Sequence, residues 1–332
     1  MAVSTGSFTV GTAADYGTWQ AAFADIVNGS LSGDLTFTQI SDTTETARSI
    51  PPGSINLNGH NLTFQSDTPH EGNPTAGWWI NINYAMTDDA FELTVTGASG
   101  LLEVKDLKFK RLSTAGAAAQ SMFSCSGGAT GPSIHLHDLL LDFNGQGAGT
   151  GLTAARTGNN PTVHIWNCVI WGGGDNGILV AWIPKDLCRV ENNVVRETDT
   201  QCFNVSGDAT YGGHFYNNLA VPASGAGYPA SSGGIAASNN GTSLGAVETG
   251  GANNVVDVVE ADEFVSLDDT NSDFMKVKAG RLDTEGVTPT IADNDFGNRG
   301  NARPGADAAV SIGADELEVA GGPGPRSMVV MT

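Results

Sequence analysis

Five short segments of this 332-residue chain can be laid over one another without a gap. They read Glu103-Val104-Lys105-Asp106-Leu107, His135-Leu136-His137-Asp138-Leu139, His164-Ile165-Trp166-Asn167-Cys168, Arg189-Val190-Glu191-Asn192-Asn193 and His214-Phe215-Tyr216-Asn217-Asn218. Each has an outward-type residue, an apolar one, a second outward-type residue, and then Asp or Asn. The Asp/Asn positions 106, 138, 167, 192 and 217 are 32, 29, 25 and 25 residues apart. A repeat of that length, built from short alternating strands with no helical periodicity, predicts a parallel β-solenoid in which each repeat is one coil. A strand of a few residues buries too little alone, whereas stacked coils give every strand two partners and every apolar side chain a like neighbour above and below. The register places Val104, Leu136, Ile165, Val190 and Phe215 in one interior column. Beside it, Asp106, Asp138, Asn167, Asn192 and Asn217 form a turn ladder, because Asn tolerates left-handed backbone angles and can bond its counterpart in the next coil. The competing arrangement is a β-sandwich, which rarely keeps residue type in register over five segments.

The remaining chain fits one elongated domain at residues 34–318, preceded by a cap at 1–33 and followed by a tail at 319–332. In the cap, Asp15 or Thr18 starts a short helix that carries Trp19, Ala22, Phe23 and Ile26 on one face, the spacing of an amphipathic helix lying over an open solenoid end. Further strands are expected at 35–40, 55–64, 79–84 and 93–96, ahead of the regular stack at 101–221. Residues 223–252 are rich in Gly, Ser, Ala and Asn and read as an excursion from the coils, the alternative being a linker between two domains. Asn253-Asn254-Val255-Val256 reads as a return to the ladder. Gly321-Gly322-Pro323-Gly324-Pro325 reads as a linker, and Met328-Val329-Val330-Met331 as an apolar end.

Charge excludes some partners. With 36 acidic against 15 basic residues and a net charge of −21, the surface repels nucleic acid and anionic membranes, so neither is an expected partner. No stretch approaches the ~18 apolar residues of a membrane span. The N-terminus lacks the basic and apolar regions of a secretory signal, and the expectation is synthesis in a host cytoplasm with release by lysis. Cys125, Cys168, Cys188 and Cys202 lack metal-type spacing and do not suggest a disulfide framework, and Cys168 occupies an interior-type slot. No metal or cofactor is expected. The run Asp268-Asp269-Thr270-Asn271-Ser272-Asp273 lacks the alternation and Gly of a calcium loop and reads as a surface turn.

Alternation puts two columns outside the coils. One is Glu103, His135, His164, Arg189 and His214, the other Lys105, His137, Trp166, Glu191 and Tyr216. Aromatic platforms flanked by hydrogen-bonding side chains suit sugars, which makes His135, His137, His164, Trp166, Arg189, Glu191, His214 and Tyr216 candidates for glycan binding. An ordinary solvated face, or one covered by a neighbouring subunit, explains the same pattern. Glycoside hydrolysis requires two carboxylates about 5 to 9.5 Å apart. Asp175 and Asp199 follow the ladder positions by 8 and 7 residues and are expected to stack on successive coils, with Glu191 the third candidate. Turn chemistry in a Gly-rich loop accounts for Asp175 equally well, and the leading expectation names no catalytic residue.

The segment Asp295-x-Gly297, then Arg299 and Arg303, then Val310-Ser311-Ile312-Gly313-Ala314-Asp315-Glu316 resembles the closing motif of many bacterial and phage right-handed β-helix proteins, with Ser311 where that motif has Asp. Ladder and motif together resemble the right-handed parallel β-helix superfamily of pectate lyases, polygalacturonases and phage tailspikes, over about residues 35–316. The resemblance implies an all-β, right-handed parallel β-helix with a short N-terminal capping helix. It implies no single activity, because this scaffold carries lyases, hydrolases, adhesins and structural proteins alike. The chain lacks the Asn-x-Asp, Asp-Asp, Gly-His-Gly and Arg-x-Lys set of polygalacturonases, and the Arg/Lys base and calcium-binding Asp cluster of pectate lyases. Its opening, Gly11-Thr12-Ala13-Ala14-Asp15-Tyr16-Gly17-Thr18-Trp19, looks like the start of virion-associated β-helix proteins of tailed phages. That likeness implies a non-enzymatic virion surface protein, a head decoration or tail-associated spike, with capsid or tail proteins and host polysaccharide as partners. A homotrimer is expected, with Trp166, Trp171 and Trp182 at or near its interface. The alternatives are a polysaccharide lyase or glycoside hydrolase of the β-helix type, and a cellular adhesin.

Overall fold

The computed structural model describes residues 2, 3, 5–47, 53–86, 89–113, 120–127, 131–147, 149–156, 160–207, 210–228, 235–246, 252–278, 281, 282 and 286. They form the expected parallel β-helix. Three sheets run along it: sheet I has eight strands from Ala2–Val3 to Gln201–Ser206, sheet II nine from Gly6–Val10 to Ile235–Ser238, and sheet III eight from Thr43–Glu45 to Gly241–Thr242. The chain visits I, II and III in turn, and among the described residues seven consecutive coils, from 30–45 to 201–221, carry all three strands.

Sheet II has the register read from the repeat. Val104, Leu136, Ile165, Val190 and Phe215 pair in sequence, and the column continues through Phe64 and Phe37. All seven are buried. Apolar side chains at each level bury one another, so short strands build a continuous interior column.

Asp106, Asp138, Asn167, Asn192, Asn217 and Asn239 have φ between 52° and 57°. This left-handed geometry turns the chain from sheet II into sheet III, and Asp and Asn adopt it at least cost among side-chain-bearing residues. Asn167 Nδ2 donates to Asp138 Oδ1 (3.2 Å) and Asn217 Nδ2 to Asn192 Oδ1 (3.0 Å). The next position holds a second, buried ladder that the sequence reading did not identify. Asn193 Nδ2 donates to Asn218 Oδ1 (3.0 Å), Asn218 Nδ2 to Asn240 Oδ1 (3.2 Å), and Asn254 Oδ1 accepts from the Asn240 backbone N–H (3.0 Å). Each amide also holds a strand carbonyl one coil back: Ile165 for Asn193, Val190 for Asn218 and Phe215 for Asn240. Cys168 is buried at the rung before Asn193 and donates its backbone N–H to Asn193 Oδ1 (2.9 Å). All four cysteines are free and buried.

At the N-terminal end the helix Trp19–Ile26 starts at Thr18, whose side chain accepts from the Ala21 N–H, and it buries Trp19, Ala22, Phe23 and Ile26. The Glu45 carboxylate accepts from the N–H groups of Trp19 (3.0 Å) and Gln20 (3.1 Å), setting negative charge at the positive end of the helix. Asp15 instead bonds Thr9. The same segment also heads two of the sheets, through Ala2–Val3 and Gly6–Val10.

Two regions differ from the sequence expectation. Within 223–252, Ile235–Ser238 pairs with Gly213–Tyr216, and Gly241–Thr242 with Leu219–Val221, so this stretch adds to the stack rather than only leaving it. The Asn239-Asn240 pair makes the same turn as Asn217-Asn218, and the surrounding Gly and Ser conceal it in the sequence. The second difference is a strap over sheet III. Val255, Val258, Phe264, Phe274, Met275, Val277 and Leu282 pack on Leu140, Val169, Trp171, Val194 and Leu219. Arg196 Nε pairs with Glu260 Oε1 (2.8 Å), and Trp171 Nε1 donates to Asp269 Oδ2 (3.2 Å). Trp171, expected near an intersubunit contact, is therefore covered by its own chain at 4% exposure. The closing motif and tail, at 295–316 and 319–332, lie outside the described residues.

Candidate functional site

Both predicted outer columns exist on sheet II, in the predicted order. Their rings do not form a platform. His135 stacks on His164 (5.0 Å between centroids, 10° between planes) and His137 on Trp166 (4.0 Å, 7°), while His135 meets Trp166 edge to face (5.5 Å, 73°). Stacking along the coil axis uses one face of each ring for a neighbour and turns edges outward, whereas a sugar needs an open face. Glu191, expected on the surface, is fully buried, because its in-register neighbours Trp166 and Tyr216 close over it from both sides. Arg189 Nη1 lies 3.9 Å from Glu191 Oε1. His214 Nδ1 lies 3.1 Å from the Tyr216 hydroxyl.

The ionisable groups of this face interact mainly with one another. Glu103 is 2.8 Å from Lys105 Nζ and 3.4 Å from His137 Nε2, while His137 Nδ1 is 2.7 Å from Asp138 Oδ2. The hydrogen bond from His137 outweighs burial and, with Lys105, pulls the Glu103 carboxyl down to about 2. Burial opposes charge on His137, but its bonds to Asp138 and Glu103 prevail and raise its pKa. Burial, then the charge of Asp138, pushes Asp106 up to about 6. His164 is lowered to about 4 by burial and by His135 and Arg189, and His135 and His214 are also lowered, chiefly by burial. At neutral pH the His164 imidazole is uncharged.

A cleft of about 510 Å³ lies where the turns leaving sheet III meet the strap; Asp142, Trp171, Arg196, Glu197, Asp199 and Asp269 are among its lining residues. Most of its carboxylates are engaged. Asp142 pairs with Lys110 (2.8 Å), Glu197 pairs with Arg196 (2.8 Å) and accepts from the Gly172 N–H (3.1 Å), and Asp269 accepts from Trp171. Asp199 is exposed at the rim. Asp175 and Asp199 do lie on successive coils, since the Asp199 N–H donates to the Gly174 carbonyl (2.8 Å). The Asp175 carboxylate, however, accepts from the Gly149 N–H (3.2 Å), which is turn chemistry. Glu191 is on sheet II and joins neither of them. The 268–273 run folds as local turns, in which the Asp268 and Asn271 side chains accept from the Thr270 and Asp273 N–H groups. Among the described residues, no group of three or more His, Cys, Asp or Glu is placed to hold a metal ion.

Comparison with protein-family models, with curated proteins and with solved structures gives no match.

Proposed function

We propose that this chain is a non-catalytic structural rod of a tailed-phage particle, a head decoration or tail-associated spike. The observation that carries the reading is the commitment of surface chemistry to the stack itself. Rings on sheet II stack on rings, Glu103 and Asp142 are paired with cations, and the Asp175 carboxylate ties one turn to the next. Such a surface stiffens a rod and leaves little reactive machinery. The acidic charge keeps a long β-structure from pairing edge to edge. A homotrimer fits this reading if its copies meet through sheet I or sheet II, since sheet III already carries the strap. Gold-labelled antibody and electron microscopy on gradient-purified particles test the proposal: label on heads or tails is expected, and protein found only free in the lysate contradicts it.

The cleft beside Trp171 favours a second reading, a polysaccharide-cleaving enzyme. Its chemistry would centre on Asp199 and Glu197 rather than on Asp175 and Glu191. Depolymerisation of a bacterial polysaccharide that is lost in a folded Asp199→Asn variant would replace the structural reading with this one.

A further inference from the structure

We propose that the joint between strands Leu101–Lys105 and Ser133–His137 is a mild-acid clamp, in which proton uptake at His137 and Asp106 tightens the contact between these coils as pH falls from about 8 to about 5.5. Geometry supplies the argument. Both nitrogens of His137 face carboxylate oxygens, Asp138 Oδ2 at 2.7 Å and Glu103 Oε1 at 3.4 Å. A neutral imidazole has one N–H and can serve one of them, whereas an imidazolium donates to both. The turn ladder departs from its own pattern at the same place. At two later rungs an Asn amide donates to the preceding rung, Asn167 to Asp138 and Asn217 to Asn192, but Asp106 and Asp138 put two carboxylates one coil apart, about 4.8 Å along the stack.

The groups facing this joint come from every element around it. Strand Leu101–Lys105 supplies Glu103 and Lys105, Asp106 and Asp138 come from the turns, His135 from the same strand as His137, and His164 and the Trp166 ring from the next coil. His70 reaches in from the loop after Asn61–Ser66, with Nε2 2.8 Å from the Asp138 carbonyl. With His137 neutral and Asp106 ionised, three carboxylates (103, 106, 138) face one cation (Lys105), a balance of −2. Protonating both leaves two carboxylates (103, 138) against two cations (105, 137), a balance of zero.

The signs agree. The His137 pKa is raised, so its contribution is present below its ordinary value and lost as pH rises through the folded value. Asp106 is raised to about 6, so the folded state holds that proton more tightly and gains as pH falls. His135, His164 and His214 are lowered and act in the opposite sense, so the clamp is read from variant differences rather than from overall stability.

The test is thermal unfolding of the full chain at pH 8 and pH 5.5 for wild type, Asp106→Asn and His137→Gln. Asp106→Asn mimics the protonated rung. It is expected to raise the midpoint at pH 8 and leave it unchanged at pH 5.5. His137→Gln is expected to lower the midpoint by about 3 °C or more beyond its pH 8 effect when measured at pH 5.5. Tryptophan emission should show a titration, reported by the ring stacked on His137, that is missing in His137→Gln. Equal effects of Asp106→Asn at the two pH values overturn the proposal, even if His137→Gln does not fold.

Discussion

Asn218 gives the sharpest test of what holds the coils together. Its side chain is fully buried and makes four bonds: Oδ1 accepts from the Asn193 backbone N–H (3.1 Å) and from Asn193 Nδ2 (3.0 Å), and Nδ2 donates to the Val190 carbonyl (2.8 Å) and to Asn240 Oδ1 (3.2 Å). In Asn218→Ala, Asn193 Nδ2 keeps Ile165 O and Glu191 O, and Asn240 Oδ1 keeps the Asn218 N–H. The Asn193 N–H and the Val190 carbonyl lose their side-chain partner inside the protein. At about 1–3 kcal/mol for each buried polar group left unsatisfied, the loss is about 4 kcal/mol, or about 6 °C in the unfolding midpoint of a chain this long. Asn218→Leu fills the space without restoring either bond and is expected to lose as much as Ala, which separates hydrogen bonding from packing. Cys168→Asn should extend the ladder by one rung, with its amide reaching the Leu136 carbonyl as Asn193 reaches Ile165, and gain about 1 kcal/mol. Urea or thermal unfolding followed by circular dichroism reads all three. A loss below about 1 kcal/mol for Asn218→Ala would refute the reasoning.

Two further outcomes follow from packing. Ile165 lies fully buried in the sheet II column, so Ile165→Asp places an unpaired carboxylate there at a cost of several kcal/mol; circular dichroism of the soluble fraction should find no β-rich protein. Trp171→Ala removes the ring that meets Phe274 at 4.9 Å and the donor to Asp269, a cost of about 3–5 kcal/mol. The loss falls on the strap, so limited proteolysis with mass spectrometry should show new cuts within 255–282 while the sheets stay resistant.

Legibility followed the length scale of each feature. The sheet II register and the left-handed turn ladder were readable because both repeat residue type at a fixed place in the coil. The buried amide ladder was visible only as the paired letters Asn192-Asn193, Asn217-Asn218, Asn239-Asn240 and Asn253-Asn254. Its inward half cannot be told from its turn half without knowing which way the chain bends. The strap was hidden because Phe264, Phe274 and Met275 meet sheet III through contacts about a hundred residues distant, with no local period. Alternation placed Glu191 outside correctly, but outside a sheet is not the same as exposed when a tryptophan and a tyrosine flank the position. The aromatic columns were legible for the same reason as the register: spacing gives the column, and only geometry shows that the rings face one another.

The register of sheet II is the claim on which the rest depends, and spin-label distances test it directly. Labels at positions 36 and 214 sit six coil steps apart, through 63, 103, 135, 164 and 189, and the native cysteines are buried away from labelling. At about 4.8 Å per step the backbone separation is about 29 Å. A narrow distribution centred near that value, shortening to about 19 Å for labels at 103 and 214, is the predicted result. A broad distribution, or two distances that do not scale with the number of steps, would contradict it.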